Sequence, residues 1–373
     1  MEYIWVTLSA VAAAALLTPL VGRVAARYGV LDRPDGSRKM HGRPIPLMGG
    51  VAVFLTLAAA VALALLIGWL PGPYIRWKYA VGIVCAASIL IIGGVIDDKY
   101  RLKPAHQIVW PILAALIIVG SGIGVKFITN PFGGQLQLDR YSFTVLWWEG
   151  MPYRLTLIAD IFTFCWLLGM TYTTKFLDGL DGLVSGITAI GALVIAAVSL
   201  MKEVSQPDTA ILALIVAGAF AGFLIFNFHP ARIFLGEGGS TLAGFLLGTL
   251  AIISGGKIAT TLLVLGLPIF DAVLVILRRL VWYRRSPAVG DRSHLHFRLL
   301  DLGLSHRQAV LFYYFIAAAF GMSTLFLSGW EKVVALGVLA SILAVTVAAV
   351  VSLKQGPAAA QGEADRHLEH TKV

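Results

Sequence analysis

Apolar residues run through this chain in long blocks free of charge, and its polar residues collect in the gaps between them. Windows of about 20 residues, enough helix to cross a hydrocarbon core, pick out candidate spans. Eleven are found, at roughly 3–22, 48–70, 79–96, 107–126, 155–174, 183–201, 209–228, 239–255, 258–279, 308–328 and 331–353. The pattern predicts an all-α polytopic membrane protein with about eleven transmembrane helices, since a helix satisfies its own backbone where no water can. No internal repeat of the kind that marks many secondary transporters is visible. From Lys354 the chain turns polar and low in complexity. Residues 354–373 are therefore expected to be a disordered tail, and 1–353 a single transmembrane domain.

Composition removes the soluble alternative. Here 58% of residues are hydrophobic and 13% charged, against about 45–50% apolar and about 25% charged in soluble domains. Cys85 and Cys165 sit inside apolar runs with no metal-site or disulfide spacing, as small buried hydrophobes do. Met1-Glu2-Tyr3-Ile4-Trp5 has no basic n-region, so the start of the chain reads as a first span rather than a cleaved signal.

Alternating the loops divides the charge sharply. The side with 23–47, 97–106, 175–182, 229–238, 280–307 and the tail carries 21 of the 29 lysines and arginines, counting span ends; the other carries eight. The positive-inside rule puts the first side, and the C-terminus, in the cytoplasm and the N-terminus outside. The polar motifs, which played no part in that division, all fall on the cytoplasmic side. The long outer loop 127–154 offers only Trp147 and Trp148, which suit a membrane interface.

Each motif has a plain reading and a chemical one. Asp97-Asp98 closes the third span; it is either a solvated helix end compensated by Lys99, Arg101 and Lys103, or a functional pair placed against the helix dipole. In Lys175-Phe176-Leu177-Asp178-Gly179-Leu180-Asp181-Gly182, Asp-Gly is a turn signal. If helical, Asp178 and Asp181 share a face, and two acids so close at a bilayer edge invite a cation or a proton between them. Oxygen-only ligands there suggest Mg²⁺ and an anionic substrate such as a phosphate. The turn Phe234-Leu235-Gly236-Glu237-Gly238-Gly239 opens a new span; its glycines serve either close helix packing or approach to an anion, and Glu237 adds a third acid at that level. His294-Leu295-His296-Phe297-Arg298, with Asp291 and Arg292 before it, suggests a grip on a diphosphate; a zinc site lacks its usual partners. The cations of Arg38-Lys39-Met40-His41 can be topological alone, and Asp271 lies within an apolar run, where an acid is paired or functional.

In this order the motifs resemble the polyprenyl-phosphate N-acetylhexosamine-1-phosphate transferases, the WecA/TagO/MraY superfamily, and its WecA/TagO branch most. The likeness covers roughly residues 20–307. It rests on Arg38-Lys39-X-His41 with Pro44-X-Pro46 and Gly49-Gly50, on Gly93-X-X-X-Asp97-Asp98 and on Asp178-Gly179-Leu180-Asp181-Gly182. It continues through Asn227-X-X-Pro230-Ala231-X-Ile233-Phe234-X-Gly236, Pro268-X-X-Asp271 and His294-X-His296-X-Arg298-Leu299.

The resemblance implies transfer of a HexNAc-1-phosphate, GlcNAc-1-phosphate as the best guess, from a UDP-sugar to undecaprenyl phosphate. The products are UMP and a lipid-diphosphate sugar that initiates a cell-envelope glycan. It implies Mg²⁺ (or Mn²⁺), a bacterial inner membrane with the site facing the cytoplasm, no nucleic acid, and a homodimer. By resemblance Asp97, Asp98, Asp178 and Asp181 are catalytic, and Asp98, Asp178, Asp181 and Glu237 hold metal. Lys39, His41, Lys175, Asn227, Arg232, His294, His296 and Arg298 bind substrate. Three places depart from the family: Glu237 replaces a usual Asp, Tyr172 and Lys175 stand where asparagines are common, and Phe297 replaces a histidine. Lys175 is placed to pair with Asp178 or to reach a phosphate. The rival readings are another UDP-sugar donor, including the MraY type, a transporter using intramembrane acids, and a non-catalytic relative that binds polyprenyl phosphate.

Overall fold

The computed structural model describes residues 1–34, 42–130, 133–148, 151–255, 258–282 and 294–347. In chain order its helices are α1 (Glu2–Arg27), α2 (Gly49–Leu66), α3 (Trp77–Tyr100), α4 (Pro104–Gln107), α5 (Val109–Ser121), α6 (Leu157–Leu177), α7 (Leu183–Ser199), α8 (Pro207–Asn227), α9 (Gly236–Ile253), α10 (Ile258–Val264), α11 (Gly266–Leu277), α12 (Leu295–Asp301), α13 (His306–Ser323) and α14 (Gly329–Val347). Three antiparallel ribbons accompany them: β1 (Leu31–Asp32) with β2 (Ile45–Pro46), β3 (Phe127–Thr129) with β4 (Gln135–Gln137), and β5 (Ser142–Trp148) with β6 (Met151–Thr156).

The protein is an all-α multi-pass membrane protein. Among the described residues eight helices are long and apolar enough to cross a bilayer, or nine if α10 and the helix after it, bent by 80°, form one span. The two other expected segments, 183–201 and 308–328, are the 17-residue α7 and the 18-residue α13. The motif Lys39 and His41, the loop residues Asp291 and Arg292, and the tail lie outside the described residues.

Helices α8 and α9 form the interior, with 72% and 89% of their apolar windows buried, whereas α1 and α14 reach only 28% and 11%. The outward faces of α1 carry Ile4, Trp5, Leu8, Leu16 and Leu20, as lipid contact requires. Small residues explain the central place of α9. A Cβ on Gly94 of α3 would overlap Gly238, one on Gly50 of α2 would overlap Gly239, and one on Gly244 would overlap the Met170 carbonyl of α6. Three helices thus meet α9 almost backbone to backbone. Thr174 Oγ1 donates across to the Ser240 carbonyl at 2.7 Å. The N–H groups of Gly49 and Gly50, orphaned at the start of α2, donate to the Phe234 and Leu235 carbonyls at 2.9 and 2.8 Å. The glycines of the 234–239 turn therefore serve packing. The close approach brings the end of α3, the end of α6 and the start of α9 to one level.

Candidate active site

A cavity of about 1030 Å³ opens at that level. It is lined by Asp97, Asp98, Lys175, Asp178, Asp181, Asn227, Glu237, His294 and His296, all singled out from sequence. Arg232 and Arg298 do not line it.

The neighbouring Asp97 and Asp98 point apart, as successive residues on a helix must. Helix α3 ends where Arg101 turns left-handed, with φ 53°. The buried Asp97 closes that turn, its Oδ1 accepting the Leu102 N–H at 2.7 Å. Asp98 faces α9, where its Oδ1 accepts the Glu237 N–H at 3.1 Å. The anion at this helix N-terminus is thus a carboxylate of the chain itself.

The Asp178–Gly182 stretch is a turn, not a helix, because α6 stops at Leu177 and Gly182 opens α7 with φ 81°. Its two acids consequently separate. Asp178 opens into the cavity and its carboxylate accepts no hydrogen bond from any described residue. Surrounding protein, then Glu237, Asp98 and Asp181, push that carboxyl above its ordinary range. Its open cavity face admits water, which moderates the rise. Asp181 Oδ2, by contrast, pairs with His229 Nδ1 at 2.8 Å and accepts the Ala231 N–H at 3.0 Å. The Asp181 N–H donates to His306 Nε2 at 2.8 Å, and the rings of His229 and His306 stack at 4.0 Å.

Asn227 is a brace. Its Oδ1 accepts from the Gly182 N–H at 3.1 Å and Ser185 Oγ at 2.7 Å, while Nδ2 donates to the Ile233 carbonyl at 3.0 Å. It ties the Asp178–Gly182 turn to the turn after α8. Tyr314 Oη adds a bond of 2.5 Å to the Gly182 carbonyl.

Asp271 proves to be paired. Its Oδ2 meets His294 Nδ1 at 2.9 Å and its Oδ1 accepts the Leu295 N–H at 3.0 Å, so one buried acid orients His294 and caps α12. A mid-span acid bound in this way offers little to a transport mechanism. His296 stacks beyond His294 at 5.6 Å and packs on Gly179, where a Cβ would overlap its Nε2. Burial first, then His294 and His306, hold its pKa down to about 3, so it presents a neutral ring. Lys175 pairs with neither Asp178 nor empty space: its Nζ lies 2.8 Å from Glu237 Oε2 and 2.9 Å from Gln107 Oε1.

Cation-capable groupings follow from this geometry. Among the described residues, Asp181, His229 and His306 alone bring three ligand atoms within 4.8 Å of one another, and Asp181 Oδ2, His229 Nδ1 and His306 Nε2 are already engaged in hydrogen bonds. The expected set Asp98, Asp178, Asp181 and Glu237 does not converge so tightly. Within it, Asp98, Asp178 and Glu237 supply oxygen donors around the cavity wall, which suits a hard ion such as Mg²⁺. Sequence reasoning missed Arg43, Arg279, His229 and His306 as lining residues. Arg279 looked topological, and His306 gave only a weak signal by closing the histidine loop.

Residues 80–255 match the model of glycosyl transferase family 4. A Bacillus subtilis protein described as a probable undecaprenyl-phosphate N-acetylglucosaminyl 1-phosphate transferase is 34% identical over 84% of this chain and 81% of its own. A decaprenyl-phosphate N-acetylglucosaminephosphotransferase of Mycolicibacterium smegmatis is 33% identical over 91% and 86%. A phospho-N-acetylmuramoyl-pentapeptide-transferase of Desulforudis audaxviator is 28% identical over 79% and 88%.

Proposed function

The chain belongs to glycosyl transferase family 4, and from that premise we propose that it transfers GlcNAc-1-phosphate from UDP-GlcNAc to undecaprenyl phosphate. An oxygen of the lipid phosphate attacks the sugar-bearing phosphorus, the bond to the UMP oxygen breaks, and UMP leaves with that electron pair. The observation that carries this reading is the gathering of Asp98, Asp178 and Glu237 with His294, His296 and three arginines around one cavity. The family likeness of the ordered motifs supports it.

The chemistry asks mainly for positioning and charge neutralisation. A phosphate monoester is largely deprotonated near neutral pH, so its oxygen needs no strong base to become nucleophilic. The obstacle is bringing it against a diphosphate that is itself anionic. Arg43, Arg101 and Arg279 line the cavity and reduce that repulsion. Asp98 and Asp178, with Glu237 beside them, would hold Mg²⁺, which when bound neutralises the diphosphate and the departing UMP. Asp97 keeps the α3–α4 turn closed, Asp181 and Asn227 hold the turn that carries Asp178, and Asp271 aims His294 at the substrate. His296, neutral, contributes a ring N–H or a lone pair rather than charge.

The proposal extends to an eleven-span catalytic domain over 1–353 with the N-terminus outside, a site on the cytoplasmic face of a bacterial inner membrane, and a homodimer. Purified protein given undecaprenyl phosphate and a panel of UDP-sugars should release UMP with UDP-GlcNAc and Mg²⁺, and lose that release in EDTA. Release of no UMP from any donor would reject the reading.

A further inference from the structure

Two oppositely charged side chains on one wall of the cavity touch. Lys175 and Glu237 form an ion pair at 2.8 Å, with Gln107 holding the ammonium at 2.9 Å from the other side. The backbone around Glu237 is fixed. Its N–H is held by Asp98, its carbonyl accepts the hydroxyls of Ser240 and Thr241 at 3.3 and 2.7 Å, and Gly238 after it packs against Gly94 and Ile91 of α3. Only the glutamate side chain is free to turn. An aspartate there would be shorter by one C–C bond, about 1.5 Å, and would fall short of Lys175. The length of the glutamate is thus what lets this acid reach the cation.

The charge balance gives the pair a purpose. Asp98, Asp178 and Glu237 with Lys175 sum to a formal charge of −2, what one divalent ion neutralises. We propose that Lys175 is a built-in counter-cation that competes with the divalent metal for Glu237. This rests on the reading that Asp98 and Asp178 hold that metal. With the ammonium in place, Glu237 is engaged and the metal meets a positive neighbour, so free metal binds weakly. An incoming diphosphate gives the ammonium a second anion to move to and releases Glu237, so donor and metal strengthen each other's binding. Lys175 is a positioning residue in this scheme and takes no part in bond making.

The test is Mn²⁺ binding to the full-length protein in detergent, followed by the electron paramagnetic resonance of the free ion. Lys175→Met should bind Mn²⁺ about tenfold more tightly or better, since a unit charge at this range is worth that much or more. Glu237→Gln should bind it more weakly. The double variant, which restores the charge balance, should return to within about threefold of the unsubstituted protein. A purely structural lysine would leave affinity unchanged or lower it, and either result for Lys175→Met overturns the proposal. Should Lys175→Met fail to fold, Lys175→Gln keeps a donor for Gln107 and must show the same tightening. Metal binding by the unsubstituted protein separates the two failures: if it binds no Mn²⁺, the metal reading falls and the proposal with it.

Discussion

Asp178 and Asp181 come from one short turn, yet they stand in two different kinds of place. Asp178 belongs to an open half of the cavity wall, shared with Asp98 and the Lys175–Glu237 pair, where carboxylates outnumber the groups that neutralise them. Asp181 belongs to a closed knot in which His229 and the Ala231 N–H engage its Oδ2 and His306 accepts from its backbone N–H. The difference teaches that an acid's job depends on what donors surround it rather than on its motif. A carboxylate held by hydrogen bonds stabilises a turn, whereas one left facing other acids is ready for a cation.

The largest effect should come from separating those two acids. Asp178→Asn should cost about a thousandfold or more in kcat with the fold intact, on the scale of losing charge stabilisation at a phosphoryl centre. Asp181→Asn keeps an acceptor for the Ala231 N–H and should cost about tenfold or less, mostly through stability. Steady-state UMP release and thermal melting in detergent measure both, and equal losses of activity would break the distinction. Next comes Gly94→Ala, which drives α3 off Gly238 and so shifts Asp98 from Glu237 while leaving the knot untouched. Overpacking of this kind costs about 1–3 kcal/mol, and the melting temperature should fall together with activity. His229→Ala should loosen only the knot, lowering stability by about 1–2 kcal/mol with a small change in kcat.

The smallest effect is on pH dependence. Because burial, and after it the neighbouring acids, raise the Asp178 carboxyl, protons compete there with a divalent ion above the ordinary carboxylate range. Apparent metal affinity should therefore rise with pH from that range upward and level off once Asp178 is ionised. Asp181→Asn should keep this rise; isothermal titration of the unsubstituted protein and this variant at several pH values measures it.

Much of this was legible in the sequence, and the exceptions share a cause. Apolar run lengths located the helices because the bilayer sets a common length. The level of the acids followed from where those runs end. What one dimension could not give was direction. Asp97 and Asp98 are neighbours in sequence but face a turn and a helix end respectively. The pairing of Lys175 with Glu237 joins two helices 62 residues apart, and nothing local to Lys175 distinguishes that partner from the nearer Asp178. His229 and His306 carried no motif of their own; the turn after α8 brings the first to Asp181 and the start of α13 brings the second. The bend between α10 and α11 was equally hidden, because both halves are apolar and read as one run.

The most direct trial of the account is Mn²⁺ binding by Asp178→Asn and Asp181→Asn proteins side by side, read by electron paramagnetic resonance under identical conditions. The account predicts that Asp178→Asn loses the bound ion while Asp181→Asn retains it with a lower melting temperature. Retention of the ion by Asp178→Asn, or its loss from both variants alike, would contradict the division of the cavity into an open, cation-holding half and a closed structural one.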